Sequence, residues 1–587
     1  MAQPDIADYA LLSDRHTAAL IAHGSVDWLC VPRFDSAAVF SRLLGDTAGS
    51  RWLIAPRQGH LENRSYRSSS FVLDSRWRTP SGTAIATDLM PLGPVRDRID
   101  LIRMITCTSG EIDVEVELIM RFGYGTVVPW IRQTVDTAND AVLYAQAGPD
   151  SMTLHGPALR SRDFTHVGDF HLSEGDSLAW TLTWSPSHLP VPTAVDSSEA
   201  ILTTLREVDH WHAELNVGGP YAEAVTRSIS VLHALTLRDT GGIVAAATTS
   251  LPESIGGERN WDYRYCWLRD SAMTISALAS HGHYRAAESW RQWLLRAVAG
   301  DPDDLQIMYG VGGERELNER ELSHLDGYRG SKPVRVGNAA STQHQADVIG
   351  EVMLALSGLR NAGLREDEFS WPLQTSLLTL LMERLDWPDN GIWEIRGAPR
   401  RFTQGRVMIW AALDAGVRAV RVHGLPGDEK LWRETRDRLK TEILSRASQI
   451  GYFPQHDDTA EVDASLLRIP QVGFVDYDHP LMLATVARIE RDLIDQYGFV
   501  RRYRTTGIDG LPGDEGAFLM CTFWLVEQYA RSGRADDGAR LMEKALSTRN
   551  ELGLLAEEYD PAKRSLLGNY PQAFSHLALI RAADALS

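Results

Sequence analysis

The hydrophobic period of this chain changes once, near residue 198, and that change constrains the fold more than any other feature of the sequence. From about Arg51 to Ser187, apolar side chains recur at every second position. Ile112, Val114 and Val116 alternate with Asp113, Glu115 and Glu117, directly after Ser109-Gly110. Alternation of this kind describes a strand with one face in a core and the other in water, here following a turn. Similar short runs around Phe71, Ile85, Ile102, Val142 and Trp180 are separated by Pro-Ser-Gly, Gly-Pro-Asp and Glu-Gly-Asp clusters. Many short strands punctuated in this way predict an antiparallel β-sandwich, placed at residues 1–197.

Beyond that point the period becomes 3.6. Ser198 to Leu215 reads as a connecting helix within a linker at 198–219, and Val225, Ile229, Leu232 and Leu235 mark the apolar face of the next helix. Further helical stretches lie near 270–281, 284–299, 341–361, 371–386, 403–422, 427–447, 479–492, 515–532, 535–548 and 571–586. About a dozen helices with almost no strand therefore fill 220–587. Short connections make consecutive helices antiparallel neighbours, and a closed ring of hairpins, six by this count, buries so many apolar faces. The connection from Gly310 to Asn338 is too long for that pattern and is rich in glycine, charge and aromatic rings. Long aperiodic segments in compact domains usually build sites, the plain alternative being a solvated loop.

Charge and cysteine usage remove several classes of function. With 78 acidic against 59 basic side chains, the formal charge of −19 repels phosphate backbones, and no Lys/Arg stripe offsets it. A nucleic-acid partner is not expected. Met1 to Cys30 carries Asp5, Asp8, Asp14 and Asp27 and lacks a basic segment leading into an apolar run, so no secretory signal is expected. No apolar stretch reaches the roughly 18 residues that a membrane helix needs, so neither is a membrane partner. Cys30, Cys107, Cys266 and Cys521 are far apart and read as reduced, buried thiols of a cytoplasmic protein. The histidines show no metal-binding spacing, and His324, His344 and His576 read as structural or hydroxyl partners.

Three segments carry residues suited to chemistry. Asp389-Asn390-Gly391-Ile392-Trp393-Glu394 sets a carboxyl beside an indole after a turn signal. A carboxyl pressed on an aromatic ring loses solvation of its charged form, so its pKa rises and it can donate a proton near neutrality. Alone, such a pair is more often a surface feature. Glycoside hydrolysis needs a second carboxylate, and Glu557-Glu558, Glu314, Glu316 and Glu319 are rivals that composition does not rank. Sugar rings also need flat apolar walls and planar polar partners. Trp261-Asp262-Tyr263-Arg264-Tyr265-Cys266-Trp267-Leu268-Arg269-Asp270 supplies both, the plain alternative being a core box with Asp270 capping the next helix.

The run Gly257-Glu258-Arg259-Asn260-Trp261-Asp262-Tyr263-Arg264-Tyr265, with Trp267 and Arg269-Asp270, resembles the first conserved region of glycoside hydrolase family 15. That family contains glucoamylases and the trehalases of actinobacteria and archaea. Three further blocks agree in order: Pro333-Val334-Arg335-Val336-Gly337-Asn338; Gly391-Ile392-Trp393-Glu394 with Arg396-Gly397; and Glu557-Glu558-Tyr559 with Gly568-Asn569-Tyr570-Pro571-Gln572-Ala573-Phe574-Ser575-His576. Spacing agrees over essentially the whole chain, from Asp8-Tyr9-Ala10-Leu11-Leu12-Ser13-Asp14 onward.

The resemblance implies an N-terminal β-sandwich, a linker helix and an (α/α)6 barrel with the active site at one end. It implies inverting, exo-acting release of β-glucose from non-reducing α-glucosyl ends. Glu394 matches the general acid and Glu557 the general base, with a slip of one exchanging Glu557 for Glu558. Arg269 and Asp270 match the pair holding the terminal glucose, and Tyr263 and Trp267 match aromatic members of that subsite. Trp393 and Glu558 join them as neighbours of the two acids, and Arg335, Arg502 and Tyr503 are further sugar-binding positions. On this reading Glu394 has a raised pKa, and Glu557 stays ionised beside donors such as Tyr559 or arginine.

The wording of the blocks is nearer to trehalases than to fungal glucoamylases, so α,α-trehalose is the expected substrate, with malto- or isomalto-oligosaccharides as the alternative. A phosphorylase on a similar barrel would need no base, and a non-catalytic glucan-binding protein would need neither acid. Retention of both Glu394 and Glu557 argues against each. Inversion requires no cofactor, while dependence on phosphate or magnesium, and assembly into a homo-oligomer, are left open.

Overall fold

A computed structural model describes residues 3–47, 49–93, 97–135, 141–505 and 515–587. Fifteen strands precede residue 187 among them, and every pairing is antiparallel. Their organiser is the strand Ile99–Ile119. Its first half pairs with Gly82–Leu89 and Ser177–Pro186, and its second half with Arg51–Pro56 and Thr165–Ser173, so two sheets share one strand. Gly110 marks the hand-over, at φ +68, where a Cβ would sit 2.2 Å from Ser81 O. Ser109-Gly110 is therefore no chain reversal. Glycine adopts a left-handed backbone inside a continuous strand, which sequence signals cannot tell from a turn. The alternation itself is present: Ile112, Val114 and Val116 are buried, while Asp113 is exposed.

Strands before Arg51 escaped the period-two reading. Ala10–Ser13, Ala18–Ala22 and Ser25–Cys30 are buried at every position, so no polar face alternates with the apolar one. They lie against the helical part of the chain, where Trp28 Nε1 donates to Ala247 O at 2.9 Å and Tyr570 OH donates to Tyr9 O at 2.7 Å.

Thirteen α-helices follow among the described residues. The first, α1 (Ser197–His212), is capped by Asp196, whose side chain accepts from Glu199 N at 2.9 Å, and it ends before the stretch from 213 to 219 that the linker reading included. The others are α2 (Ala222–Ala234), α3 (Leu268–Ser280), α4 (Tyr284–Ala297), α5 (Asp347–Asn361), α6 (Ser370–Glu383), α7 (Thr403–His423), α8 (Glu429–Ile450), α9 (Arg468–Gln471), α10 (Pro480–Leu493), α11 (Leu519–Arg531), α12 (Ala535–Leu546) and α13 (Ala573–Ala585).

The odd-numbered helices from α3 to α13 form a closed inner ring of six, in which α9 meets α11 through the 3₁₀ turn Ala464–Leu467, with α2, α4, α6, α8, α10 and α12 outside. Side-chain pattern decides the layer. Helix α8 buries only Trp432, Thr435, Leu439, Ile443 and Ala447, a single stripe, whereas α11 buries an unbroken run from Leu519 to Tyr529. Helix α9 was not legible, being four residues long with Pro470 inside it and led by the 3₁₀ turn Ala464–Leu467. All four cysteines are buried and free, and no helix is long and apolar enough to cross a membrane among the described residues.

Candidate active site

Loops that lead into the inner helices meet at one end of the barrel and enclose a cavity. Its floor is set at the start of α3. Cys266 and Trp267 pair antiparallel with Met308 and Tyr309, which fixes Trp267 and puts Arg269 and Asp270 in the first helical turn. Trp267 holds the N-cap position, so Asp270 does not cap the helix. Instead its carboxylate accepts from Arg269 Nε at 3.1 Å and faces the cavity. Burial pushes the Asp270 carboxyl up to about 7, opposed by Arg269 and reinforced by Glu394. Arg269 is held in turn by Gln345 Oε1 at 2.9 Å and lies over the Phe574 ring.

Glu394 closes a tight turn. Its N–H returns to Gly391 O at 3.1 Å, and both residues are left-handed, at φ +57 and φ +67. A non-glycine residue pays in backbone strain for that conformation, which is tolerated where surrounding structure over-determines it. The turn aims the Glu394 side chain, 21% exposed, so that Oε1 accepts from Trp267 Nε1 at 2.6 Å and lies 3.5 Å from Arg269 Nη2. Both contacts fall on Oε1.

The indole expected to press on Glu394 does something else. Trp393 turns its N–H to Asp463 Oδ2 at 2.9 Å and packs against Tyr503, Phe518 and Trp524. Side chains of adjacent residues diverge at such a turn, and the ring on the carboxylate comes from Trp267, 127 residues away.

Glu557 is fully buried and does not itself line the cavity, standing behind Tyr263, which does. Its Oε1 accepts from Tyr263 OH at 2.8 Å and its Oε2 from Asn569 N at 3.2 Å, so Tyr263 supplies the donor assigned to Tyr559. Glu558 points away, accepting from Gly516 N at 2.8 Å, and its Oε1 lies 3.5 Å from Arg502. With Glu253 and Glu515 these residues form a four-carboxyl cluster around Arg502 and Arg259. Arg502 donates to Glu253 at 2.9 Å and to Glu515 at 2.6 Å, and Arg259 lies 3.3 Å from Glu515. The Arg502 guanidinium stands among Glu253, Glu515 and Glu558, where a metal ion would otherwise find its ligands.

Four carboxyls against two guanidiniums cannot all ionise out of water. Burial pushes Glu557 up to about 8, with Glu253 adding and Arg502, Tyr263 and Asn569 opposing. Burial and then Glu253 hold Glu558 well above the usual carboxylate range. Glu557 was expected to stay ionised beside polar donors; the donors are present, and burial raises its carboxyl against them.

Residues 219–584 match the family model described as glycosyl hydrolases family 15. The chain belongs to that family. Residues 2–162 match a second model, described as trehalase-like, N-terminal. This family 15 glycosidase is 36% identical to the trehalase of Mycolicibacterium smegmatis, a match covering 99% of this chain and 91% of that one. It is 33% identical to the trehalase of Thermoplasma acidophilum, covering 96% and 97%. A bacterial glucoamylase solved with acarbose aligns over 100% of this chain and 94% of its own with a TM-score of 0.70 at 12% identity, a likeness of fold.

In this family 15 glycosidase the remaining expected positions divide. Arg502 and Tyr503 line the cavity, though Arg502 is committed to carboxylates. Arg335 reaches the site through Trp261, over whose ring it lies at 4.6 Å while donating to Glu258 O and Asn260 O. Of the rival acids, Glu316 is exposed and Glu314 pairs with Arg33 at 2.7 Å, but Glu319 holds Arg396 at 3.1 Å, and Arg396 stacks on Trp261 at 4.0 Å. The long loop thus reaches the rim. Phe574, named in the last block without a role, lines the site, and Glu253 and Gln345 line or support it without having been singled out. Glu253 and Gln345 are lone residues whose neighbours carry no spacing signal.

Proposed function

We propose that this glycosidase hydrolyses α,α-trehalose with inversion, Glu394 acting as general acid and Glu557 as general base. One observation supports the reading: Glu394 accepts from Trp267 and Glu557 from Tyr263, two rings of one edge-on pair, so a single aromatic pair brings both acids to one site on separate supports. An inverting pair needs a separation of about 6.5–9.5 Å, so that water fits between the base and the sugar. Glu394 would protonate the glycosidic oxygen while Glu557 takes a proton from that water. Arg269 and Asp270 would hold hydroxyls of the glucose being released, against Trp267 and Tyr263. Of the two neighbouring acids, Glu557 is taken as the base because it accepts from Tyr263, which lines the cavity, and from Asn569, whereas Glu558 turns to Gly516 and Arg502. The trehalase relatives, matched along nearly the whole chain, support trehalose over other α-glucosides.

The test is proton NMR of the purified protein with trehalose, maltose and isomaltose. Trehalose should be the best substrate and give α- and β-glucose in equal initial amounts. Early α-glucose alone from trehalose, or maltose cleaved faster than trehalose, would refute the corresponding part of the reading. Glu394→Gln and Glu557→Gln should each lower kcat by at least ~10²-fold.

A further inference from the structure

A second cavity, of about 280 Å³, opens where the β-domain, α1 and the barrel meet. Arg15 and Phe71 line it from the β-domain, Val208 and Trp211 from α1, and His233 and Arg238 from the barrel. Arg15 is fixed by its backbone. It stands at φ +70, its N–H on Ser13 Oγ at 3.1 Å and its carbonyl taken by Arg238 N at 2.8 Å. Its Nε is buried and meets no acceptor among the described residues. Burial and then the neighbouring Arg238 pull its pKa down to about 10. Arg238, 33% exposed, gives Nη1 to Gly93 O at 2.9 Å, and its nearest carboxylate, Glu207, is 3.9 Å away.

Carboxylates offset this pair of cations only in part: Glu207 pairs with Arg238 at 3.9 Å and, with Asp14 and Asp239, acts on Arg15 against the burial that lowers its pKa. Trp211 stacks on His233 with centroids 4.1 Å apart and donates its indole N–H to His283 Nε2, so that nitrogen is an acceptor and His283 is neutral. Burial holds His283 down to about 4, and burial with Arg15 holds His233 well below its ordinary range. Arg285, 81% exposed, stands at the mouth 3.8 Å from Glu214. Met90, Leu92, Leu237 and Ala286 complete a wall that is mostly apolar.

An unpaired buried N–H on one guanidinium, crowded by a second, is costly unless an anion completes it. A bare oxyanion would leave most of the space and all of the apolar wall unused. We propose that this cavity binds a small organic anion, its carboxylate or phosphate head on Arg15 and Arg238 and its apolar or ring body against Phe71, Val208 and Trp211. The two guanidiniums belong to different domains, so the ligand would tie the β-domain to the barrel beside α1. Binding the folded state alone, it would raise the unfolding temperature.

The probes are phenyl phosphate, benzoate and inorganic phosphate, titrated into the full-length protein by calorimetry and thermal unfolding. Phenyl phosphate or benzoate should bind at millimolar concentration or better and raise Tm. Arg15→Gln and Arg238→Gln should each weaken that binding at least about tenfold, while Asp270→Asn, in the catalytic cavity, should leave it unchanged. Two separate arginine variants keep the test valid if one is unstable. The proposal is overturned if neither organic anion binds, if both arginine variants bind as the unmodified protein does, or if Asp270→Asn abolishes binding. Equal binding of inorganic phosphate alone would overturn the assignment of the apolar wall as part of the site.

Discussion

Tyr263 stands edge-on to Trp267 with ring centroids 5.4 Å apart, and the polar tip of each ring holds a different glutamate, Glu557 and Glu394 respectively. The ring that holds each glutamate is remote in sequence, Trp267 lying 127 residues from Glu394 and Tyr263 294 residues from Glu557. The aromatic pair comes from the strand-to-helix entry into α3, so one short segment of backbone sets the orientation of both carboxyls.

Replacing Trp267 by Phe keeps an apolar ring and removes the N–H that orients Glu394. We expect kcat to fall by ~10–10²-fold with a smaller change in KM, since a mispositioned acid costs most in the transition state. Steady-state kinetics on trehalose check this, and an unchanged kcat would remove Trp267 from the catalytic arrangement.

The pH dependence follows from Glu557. A base must be ionised, and this one is pushed up to about 8 by burial and then by Glu253. kcat/KM, which reports the free enzyme, should therefore rise with pH and reach half its limit near neutral to mildly alkaline pH. Glu253→Gln removes the neighbouring negative charge and should move that ascending limb to lower pH. A limb already complete below pH ~5 in the unmodified protein would contradict the assignment.

Asp389 offers a stability test separate from catalysis. Burial pushes its carboxyl up to about 8, with Asp347 adding, while Ala346 N donates to Oδ2 at 3.0 Å and Oδ1 has no partner among the described residues. The native state keeps a proton that the unfolded chain loses near pH ~4, so stability falls as pH rises from about 4 to 8. Asp389→Asn preserves the shape and removes the titration. Its Tm should decline less over that window, by a few degrees, in thermal unfolding at matched ionic strength.

Gly568 is a point of close approach. At φ +71, an added Cβ would lie 2.4 Å from Glu557 Oε2. Gly568→Ala should lower kcat/KM by ~10-fold or more while the protein still folds, as judged by circular dichroism, because the displaced group is the carboxyl proposed as the base.

Much of this was legible from the chain. The change of period separated the strand region from the helices, and Glu394, Glu557, Tyr263, Trp267, Arg269 and Asp270 were named as site residues before any geometry was known. The reason one of them works was misread. Trp393 is adjacent to Glu394 in sequence yet serves Asp463, because a left-handed turn separates neighbouring side chains. Glu253 was invisible for the opposite reason: its importance lies in the charges that converge on it from positions 259, 502 and 558, and no local pattern encodes a convergence. Helix α9 was too short for a period to register.

The loop from Gly310 to Asn338 contributes Glu319 to the rim and Asn338 to the cavity wall, but its middle is fastened elsewhere. Asp326 N and Gly327 N donate to Gly45 O and Leu44 O at 3.2 and 2.9 Å, and Tyr328 OH donates to Pro4 O at 2.7 Å. The strand domain therefore acts as the gauge that fixes the aperture. A barrel expressed without it would lose the brace on one jamb of its doorway, and substrate range in such a protein would drift through changes in a domain that lines none of the cavity.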